Sequence, residues 1–377
     1  MRILAINCGS SSLKCSLIDS ASGRRSFDSQ VENIHGDHEG AMRRLLDELK
    51  KNGDVPQAVA HRIVHGGDRF VKPALVTDEM LATLDGLNEL APLHNPPAVA
   101  ALKIARSALA DIPHVAVFDT SFHSTLPPHA YEYALPRDVS KRFGIRRYGF
   151  HGISHAHAME AVAAHLGKPP EDLRIVSCHL GNGASVAAIE RGRSVETSMG
   201  MTPLEGLVMG TRSGDIDPGV LLHLLHAGYG AERLGSLLNH ESGMKGLTGT
   251  HDLRDIERRS IDGDESCRTA IEIYAHRVRK YIGAYAAAMG GVDVIAFTGG
   301  LGEHSALMRE RILERLEFLG VELDGGGNRA AKVERERPVA SISKQSSRVS
   351  IVVVQADEEA AMVKAASAFL PRSPGED

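Results

Sequence analysis

The chain has 377 residues, 42% of them apolar and 24% charged, and carries a formal net charge of −5. That length exceeds what one core usually supports, so about two globular domains are expected and wholesale disorder is excluded. The charge balance, with no long Lys/Arg block, leaves no electrostatic footprint for nucleic acid or an anionic membrane.

In chain order, the first element is an apolar strand from Ile3 that enters the small-residue turn Asn7-Cys8-Gly9-Ser10-Ser11-Ser12 and continues into a second apolar strand through Lys14 to Asp19. With a strand so early, no signal peptide is expected. Strands and helices then alternate to about residue 120, and Val115–Phe118 reads as a short buried strand ending at Asp119. The hairpin pattern returns at 175–190, with His179-Leu180-Gly181-Asn182-Gly183 as its turn. Turns poor in side chains let backbone N–H groups approach phosphate oxygens. Either copy alone is an ordinary tight hairpin; the repetition, with His, Asn, Ser and Lys at the turns, points to two related halves holding one phosphorylated ligand.

Farther on, the apolar strand at 292–297 runs into Thr298-Gly299-Gly300-Leu301-Gly302-Glu303 and a helix from about Ser305, an order that can cradle an anion at a helix N-terminus. Asp293 and several glycines interrupt the most apolar window, against a membrane span. After a strand at 349–354, a helix opens on Asp357-Glu358-Glu359, runs to about Leu370 and is expected to return to the first domain; the tail to Asp377 reads as frayed. The expected domains are 1–120 plus 358–377, and 121–357. Four cysteines, Cys8, Cys15, Cys178 and Cys267, lack paired spacing and suit a reducing cytoplasm.

Two nucleotide signatures are missing: there is no Gly-x4-Gly-Lys-Ser/Thr, and Gly300-Leu301-Gly302-Glu303-His304-Ser305 lacks the third glycine of a dinucleotide fingerprint. The run His151, His155, His157 and His165 has no Glu of a His-Glu-x-x-His helix, and His157 falls on another face, so a zinc site is rejected and His155 is read as supporting the nearby loop. A duplicated hairpin plus a late glycine turn suits an α/β architecture of two duplicated actin-like (ribonuclease H-like) ATPase domains with a ligand cleft between them.

Asn7-Cys-Gly-Ser-Ser-Ser-Leu-Lys14 and Tyr148-Gly-Phe-His151-Gly-Ile-Ser-His155 are similar to the two signatures of the acetate kinase family. Further blocks resemble it in the same order: His61-Arg62-Ile-Val-His-Gly-Gly67, Leu90-Ala-Pro-Leu-His94-Asn-Pro, Val117-Phe-Asp119-Thr, His179–Gly183, and Met201 through Arg212 to Pro218. The resemblance implies reversible transfer of the ATP γ-phosphoryl group to acetate, giving acetyl phosphate and ADP by direct in-line transfer. An acceptor that is already an anion needs no strong base; the difficulty is bringing two anions together, so fixed cations and donors should carry the catalysis. By this resemblance Arg62 and Arg212 bracket the carboxylate and phosphoryl group, His94 helps bind them, His151 donates to an equatorial oxygen, and Asp119 orients Arg62. Asn7 and Glu358, with Glu359 adjacent, would hold Mg²⁺, for which Mn²⁺ can substitute. Ser10, Ser12 and Lys14 would contact phosphates, with His179, Leu180, Gly181, Asn182 and Gly183 opposing them. Asp252, Leu253 and Arg254, together with Gly300, Leu301, Gly302, Glu303 and His304, would form the nucleoside side. A homodimer and domain closure are implied as well.

The acyl pocket implied by the resemblance is Val64, Leu93, Phe150 and Pro203, small and apolar. One methylene is worth about 1–3 kcal/mol in such a pocket, so propionate should be a weaker substrate and not an excluded one. His304 departs from the family's asparagine, the block at 250–252 is altered and the chain is somewhat short, which leaves a pyrophosphate-using relative open as an alternative. A propionate or butyrate kinase is another. A non-catalytic nucleotide clamp would have no use for Arg62, Arg212 and His151 together, and a sugar kinase would need a true base and a polar pocket.

Overall fold

The structure, a computed structural model, describes residues 1–9, 12–32, 34, 36–87 and 95–371. The chain divides into two compact units: Met1–Ser124, Phe150–His157 and the chain from Asp357 onward form the first, and Thr125–Gly149 with Ala158–Ala356 the second. Among the described residues, each unit holds one six-stranded mixed sheet.

The first sheet contains β1 (Arg2–Cys8), β2 (Ser12–Asp19), β3 (Arg25–Glu32), β4 (Ala58–Ile63), β5 (Ala74–Leu75) and β6 (His114–Phe118), in the order β3-β2-β1-β4-β6-β5. The second contains β7 (Arg174–Leu180), β8 (Ala184–Glu190), β9 (Arg193–Thr197), β10 (Val294–Thr298), β11 (Val339–Ser341) and β12 (Ser350–Val354), in the order β9-β8-β7-β10-β12-β11. Both orders are third, second, first, fourth, sixth, fifth, and the directions agree: the hairpin strands and the last pair are antiparallel, the central pairs parallel. The irregularities coincide too. Superposing the hairpin ends Cys8↔Leu13 and Leu180↔Ala184 lays the bulge at Leu17/Ile18 of β2 over that at Ala188/Ile189 of β8. The same superposition lays Asn7 over His179, and the parallel registers then lay Arg62 over Thr298.

The central strands are apolar throughout because both faces of each pleat are covered. In β1, Leu4, Ile6 and Cys8 pack with the helices His38–Lys51 and Asn95–Ala108 through Met42, Leu45, Ala98 and Leu102. Ile3 and Ala5 point the other way, where Met362, Val363 and Ala366 of the helix Glu358–Phe369 cover them. Asp357 caps that helix, its carboxylate accepting from Ala360 N–H at 2.9 Å. The sequence boundaries put 150–157 in the second domain; in the structure Gly152 N–H donates to the Asp119 carbonyl at 3.0 Å and Ile153 joins the first core, drawing the segment into the first unit. All four cysteines are buried free thiols. Among the described residues no helix is long and apolar enough to cross a membrane.

Inside the first sheet, His61 of β4 and His114 of β6 stack with centroids 5.1 Å apart and share a 2.8 Å hydrogen bond. His114 Nε2 lies 3.1 Å from the Leu109 carbonyl, so Nε2 carries the proton, Nδ1 is bare, and His61 Nε2 must donate to it. Burial lowers the pKa of both rings, that of His61 strongly and with help from His114. Both are therefore neutral in the fold and titrate near 6.5 when it opens, so their contribution is intact above that pH and is lost as pH falls below it, by at most about 1.4 kcal/mol per pH unit for each ring. Melting temperatures should drop between pH 7.5 and 5.5, and His61→Gln, which keeps the donor but cannot be protonated, should flatten the dependence. An identical dependence in the variant would count against this pair.

Candidate active site

In the first unit the polar groups gather where the parallel strands β1, β4 and β6 end, the usual ligand side of an α/β sheet. Arg62, next to last in β4, donates from Nε to Asp119 Oδ1 at 3.0 Å and from Nη2 to Oδ2 at 2.7 Å. Its Nη1 reaches Asn7 Oδ1 and Glu358 Oε2, each at 3.0 Å. Asn7 Nδ2 donates to Glu358 Oε2 at 2.9 Å and to Glu359 Oε1 at 3.1 Å. Asp119 thus takes the Nε/Nη2 edge while Asn7 and Glu358 take Nη1, which fixes the plane of the guanidinium and leaves an Nη2 N–H for an incoming oxyanion. Asp119 is only 1% exposed. Burial pushes its carboxyl above the usual range, with Arg62 opposing. For Arg62 burial acts downward, but Asp119, Glu358 and Glu359 outweigh it and raise its pKa, so the guanidinium keeps its proton. Lys14 pairs with Asn7 across the β1/β2 hairpin and so lies on the same face. At the turn, Gly9 N–H donates to the Ser12 carbonyl at 2.8 Å.

The segment that carries His151 folds against the end of β6. His151 has φ +56°, a left-handed conformation rare for a residue with a side chain. Its N–H donates to the Asp119 carboxylate. Gly152 is glycine for want of space: a Cβ there would lie 2.0 Å from the Asp119 carbonyl oxygen. Phe150 is buried, with His65 edge-on to it at 5.5 Å, and Val64 is buried beside His65 in the chain. His155 is buried and meets His123 edge-on at 5.8 Å. The backbone after Arg62 is clamped by residues that sequence reasoning did not assign a role. Asn95 accepts from His65 N–H and donates to the His65 carbonyl, both at 3.0 Å, and Thr120 Oγ1 accepts from Gly66 N–H at 3.1 Å. Ser10, Leu93, His94 and the tail 372–377 lie outside the described residues.

In the second unit, the turn His179–Gly183 closes with Gly181 N–H on the Gly183 carbonyl at 3.1 Å. The Asn182 carbonyl accepts from Gly210 N–H at 2.9 Å, tying the turn to the loop that carries Pro203 and Arg212. Arg212 Nη1 donates to the Pro203 carbonyl at 3.3 Å, so those two expected residues meet directly, and burial lowers the Arg212 pKa. The loop is braced by Glu205, which accepts from Arg147 at 2.7 Å and from Tyr133, and by Asp215, which accepts from Gly206 N–H at 2.8 Å.

Asp252, Leu253, Arg254, Gly300, Leu301 and His304 surround one cavity of about 340 Å³, which Gly181 and Asn182 also line. Glu257 and Ser305, which the sequence did not single out, complete it and hydrogen-bond to each other. The glycine run expected as a turn is itself helical, Gly299–His304. It starts there because Gly299, at φ +77°, lies too close to the Leu180 carbonyl for any side chain. Gly302 and Glu303 do not line the cavity: Gly302 is buried against Phe297, and the Glu303 carboxylate accepts from Ala356 N–H at 2.9 Å. Arg309, buried, donates to both of their carbonyls. Among the described residues no group of three His, Cys, Asp or Glu side chains is arranged as a metal site.

A family model described as the Acetokinase family matches residues 2–364. The chain belongs to that family. It is 47% identical to an acetate kinase of Clavibacter michiganensis over 95% of this chain and 96% of that one, and 45% identical to one of Bacillus cytotoxicus over 95% and 96%. Among solved structures it is similar to Porphyromonas gingivalis acetate kinase, with a TM-score of 0.91 at 39% identity over 98% of this chain and 100% of that one. It is also similar to a propionate kinase of Francisella tularensis, with a TM-score of 0.89 at 34% identity over 97% and 98%. In each sheet polar residues lie at the carboxyl ends of the parallel strands: Asn7, Arg62 and Asp119 in the first unit, His179 and Thr298 in the second.

Proposed function

We propose that this protein is an acetate kinase, moving the γ-phosphoryl group of ATP to acetate and, in reverse, that of acetyl phosphate to ADP. The observation that carries the reading is the Arg62 fork, locked by Asp119 at the ends of β4 and β6 in a member of the acetokinase family. Acetate arrives ionised, so the site needs cations and donors in place of a base. Asp119 suits the orienting role, because Arg62 and the His151 N–H already engage its carboxylate. Arg62 and Arg212 are assigned to the acyl and phosphoryl oxygens, and the His151 side chain to an equatorial oxygen. Val64 and Phe150, with Leu93 and Pro203, are assigned to the acetate methyl. The cavity at Asp252, Leu253, Arg254 and His304 is assigned to the nucleoside, and the two hairpin turns to the phosphates.

The Asn7 amide lies 2.9 Å from the Glu358 carboxylate and 3.1 Å from that of Glu359, and the oxygens of these three side chains are of the hard type that suits Mg²⁺ with its few protein ligands. Such an ion would offset the charge of the phosphates. The Asn7 oxygen now faces Arg62, so Asn7 would act through water or by turning its amide. A cytoplasmic homodimer is proposed as well. Supporting the dimer, the helix Pro218–His226 has no buried residue although five of its nine are Val or Leu, and Leu222 is 58% exposed; a monomeric mass in solution would refute it.

The test is acyl phosphate formation, trapped as the hydroxamate, with acetate, propionate and butyrate and with ATP, GTP and pyrophosphate as donors. Acetate with ATP should be fastest; turnover with pyrophosphate alone would overturn the donor, and none with any pair would overturn the activity. In the same assay Val64→Ala should narrow the preference for acetate over propionate, and an unchanged ratio would remove Val64 from the acyl pocket.

A further inference from the structure

We propose that His123 is a positioning residue for phosphoryl transfer, acting through the peptide that joins Phe150 to His151. This rests on the reading above, in which the His151 side chain meets the transferring group. His151 holds φ +56°, where a side chain crowds its own backbone, and such a conformation persists only when its surroundings impose it.

Both poles of the peptide in question are pinned. Its oxygen, the Phe150 carbonyl, lies 3.0 Å from His123 Nε2. A carbonyl can only accept, so the His123 ring must carry its proton on Nε2 and donate. Its N–H, that of His151, donates to the Asp119 carboxylate. With oxygen and N–H both held, the peptide plane cannot rotate, and the dihedral angles on either side, ψ of Phe150 and φ of His151, are set with it. Gly152 N–H on the Asp119 carbonyl at 3.0 Å fixes the next peptide.

His123 itself has little freedom. It is 1% exposed, sits in the 3₁₀ turn Ser121–Thr125, and is met edge-on by Phe122 at 5.5 Å and His155 at 5.8 Å. One turn of chain after β6 thus supplies both pins, Asp119 and His123. Without the His123 donor the Phe150 carbonyl loses a buried partner, the plane is free to turn, and the His151 side chain leaves its place while the nucleotide cavity is untouched.

The experiment compares His123→Phe, which keeps ring packing without a donor, with His123→Gln, whose amide can still donate, and with His151→Ala and the double variant His123→Phe/His151→Ala. Circular dichroism confirms folding; if His123→Phe does not fold, His123→Asn, too short to reach the carbonyl, replaces it. In the hydroxamate assay His123→Phe should lower kcat by about 10- to 100-fold with KM for ATP unchanged, and His123→Gln should recover most of it. The double variant should be no slower than His151→Ala alone, since the two residues act as one unit. Wild-type kcat in His123→Phe, no recovery in His123→Gln, or multiplied losses in the double variant would overturn the proposal. Wild-type turnover in His151→Ala would instead remove His151 from the chemistry and take this inference with it.

Discussion

Arg62→Ala is expected to lower acetyl phosphate formation by about 10³-fold or more, the scale on which a single arginine at a transferring phosphoryl group acts. The geometry makes the loss twofold in kind. The cation and the Nη2 N–H that would meet the oxyanion disappear, and Asp119, 1% exposed, loses its bidentate partner. Breaking a buried pair from one side costs about 3–5 kcal/mol, which the carboxyl can reduce by taking up a proton. Arg62→Lys separates the two effects: it restores a charge near Asp119 but cannot make two parallel bonds, so melting temperature should recover while kcat stays low. Hydroxamate formation and thermal melts on the same preparations read both quantities. An Arg62→Ala enzyme with near wild-type kcat would sink the assignment of Arg62 to the reaction, whatever its stability.

Gly152→Ala should be almost as damaging, although it adds one methyl group and touches no proposed substrate contact. The new Cβ would lie 2.0 Å from the Asp119 carbonyl oxygen and 2.9 Å from Phe122 Cβ, so the end of β6 and the His151 segment must part. That shift moves Asp119 and His151 together. A misplacement of about 1 Å costs about 10²-fold in rate, and overpacking a rigid contact about 3 kcal/mol. Gly283→Ala provides the control. It lies in the helix Glu265–Ala288 with no atom beyond its chain neighbours and its own helix backbone within 4 Å of its added methyl, and should be neutral or stabilising by about 0.5–1 kcal/mol. Equal stability and activity in the two alanine variants would contradict the close approach at Gly152.

The repeated hairpins were legible because each is local: two apolar strands and the turn between them are contiguous, and strands covered on both faces read as unbroken apolar runs. Residue types at the site were legible in the same way, since Asn7, Arg62, Asp119 and His151 each sit in a short block with its own composition. The helical state of 299–304 was not. It depends on Gly299 passing over the Leu180 carbonyl, more than a hundred positions earlier in the chain. The supports of the site were equally hidden. Asn95 clamps the His65 peptide across 30 residues, His123 reaches Phe150 across 27, and Glu358 meets Asn7 across 351.

By itself, then, the sequence determined that this protein is built from two copies of one strand pattern and which side chains are available to handle phosphate and carboxylate. Those properties follow from periodicity and composition over a few residues. Only the tertiary structure decided which donors meet which acceptors and which backbone is held out of its relaxed conformation. The physical reason is strand order: β1, β4 and β6 become neighbours through crossovers, so the partners of Arg62 and the pins on the Phe150–His151 peptide are set by sheet topology and close packing, to which spacing along the chain bears no fixed relation.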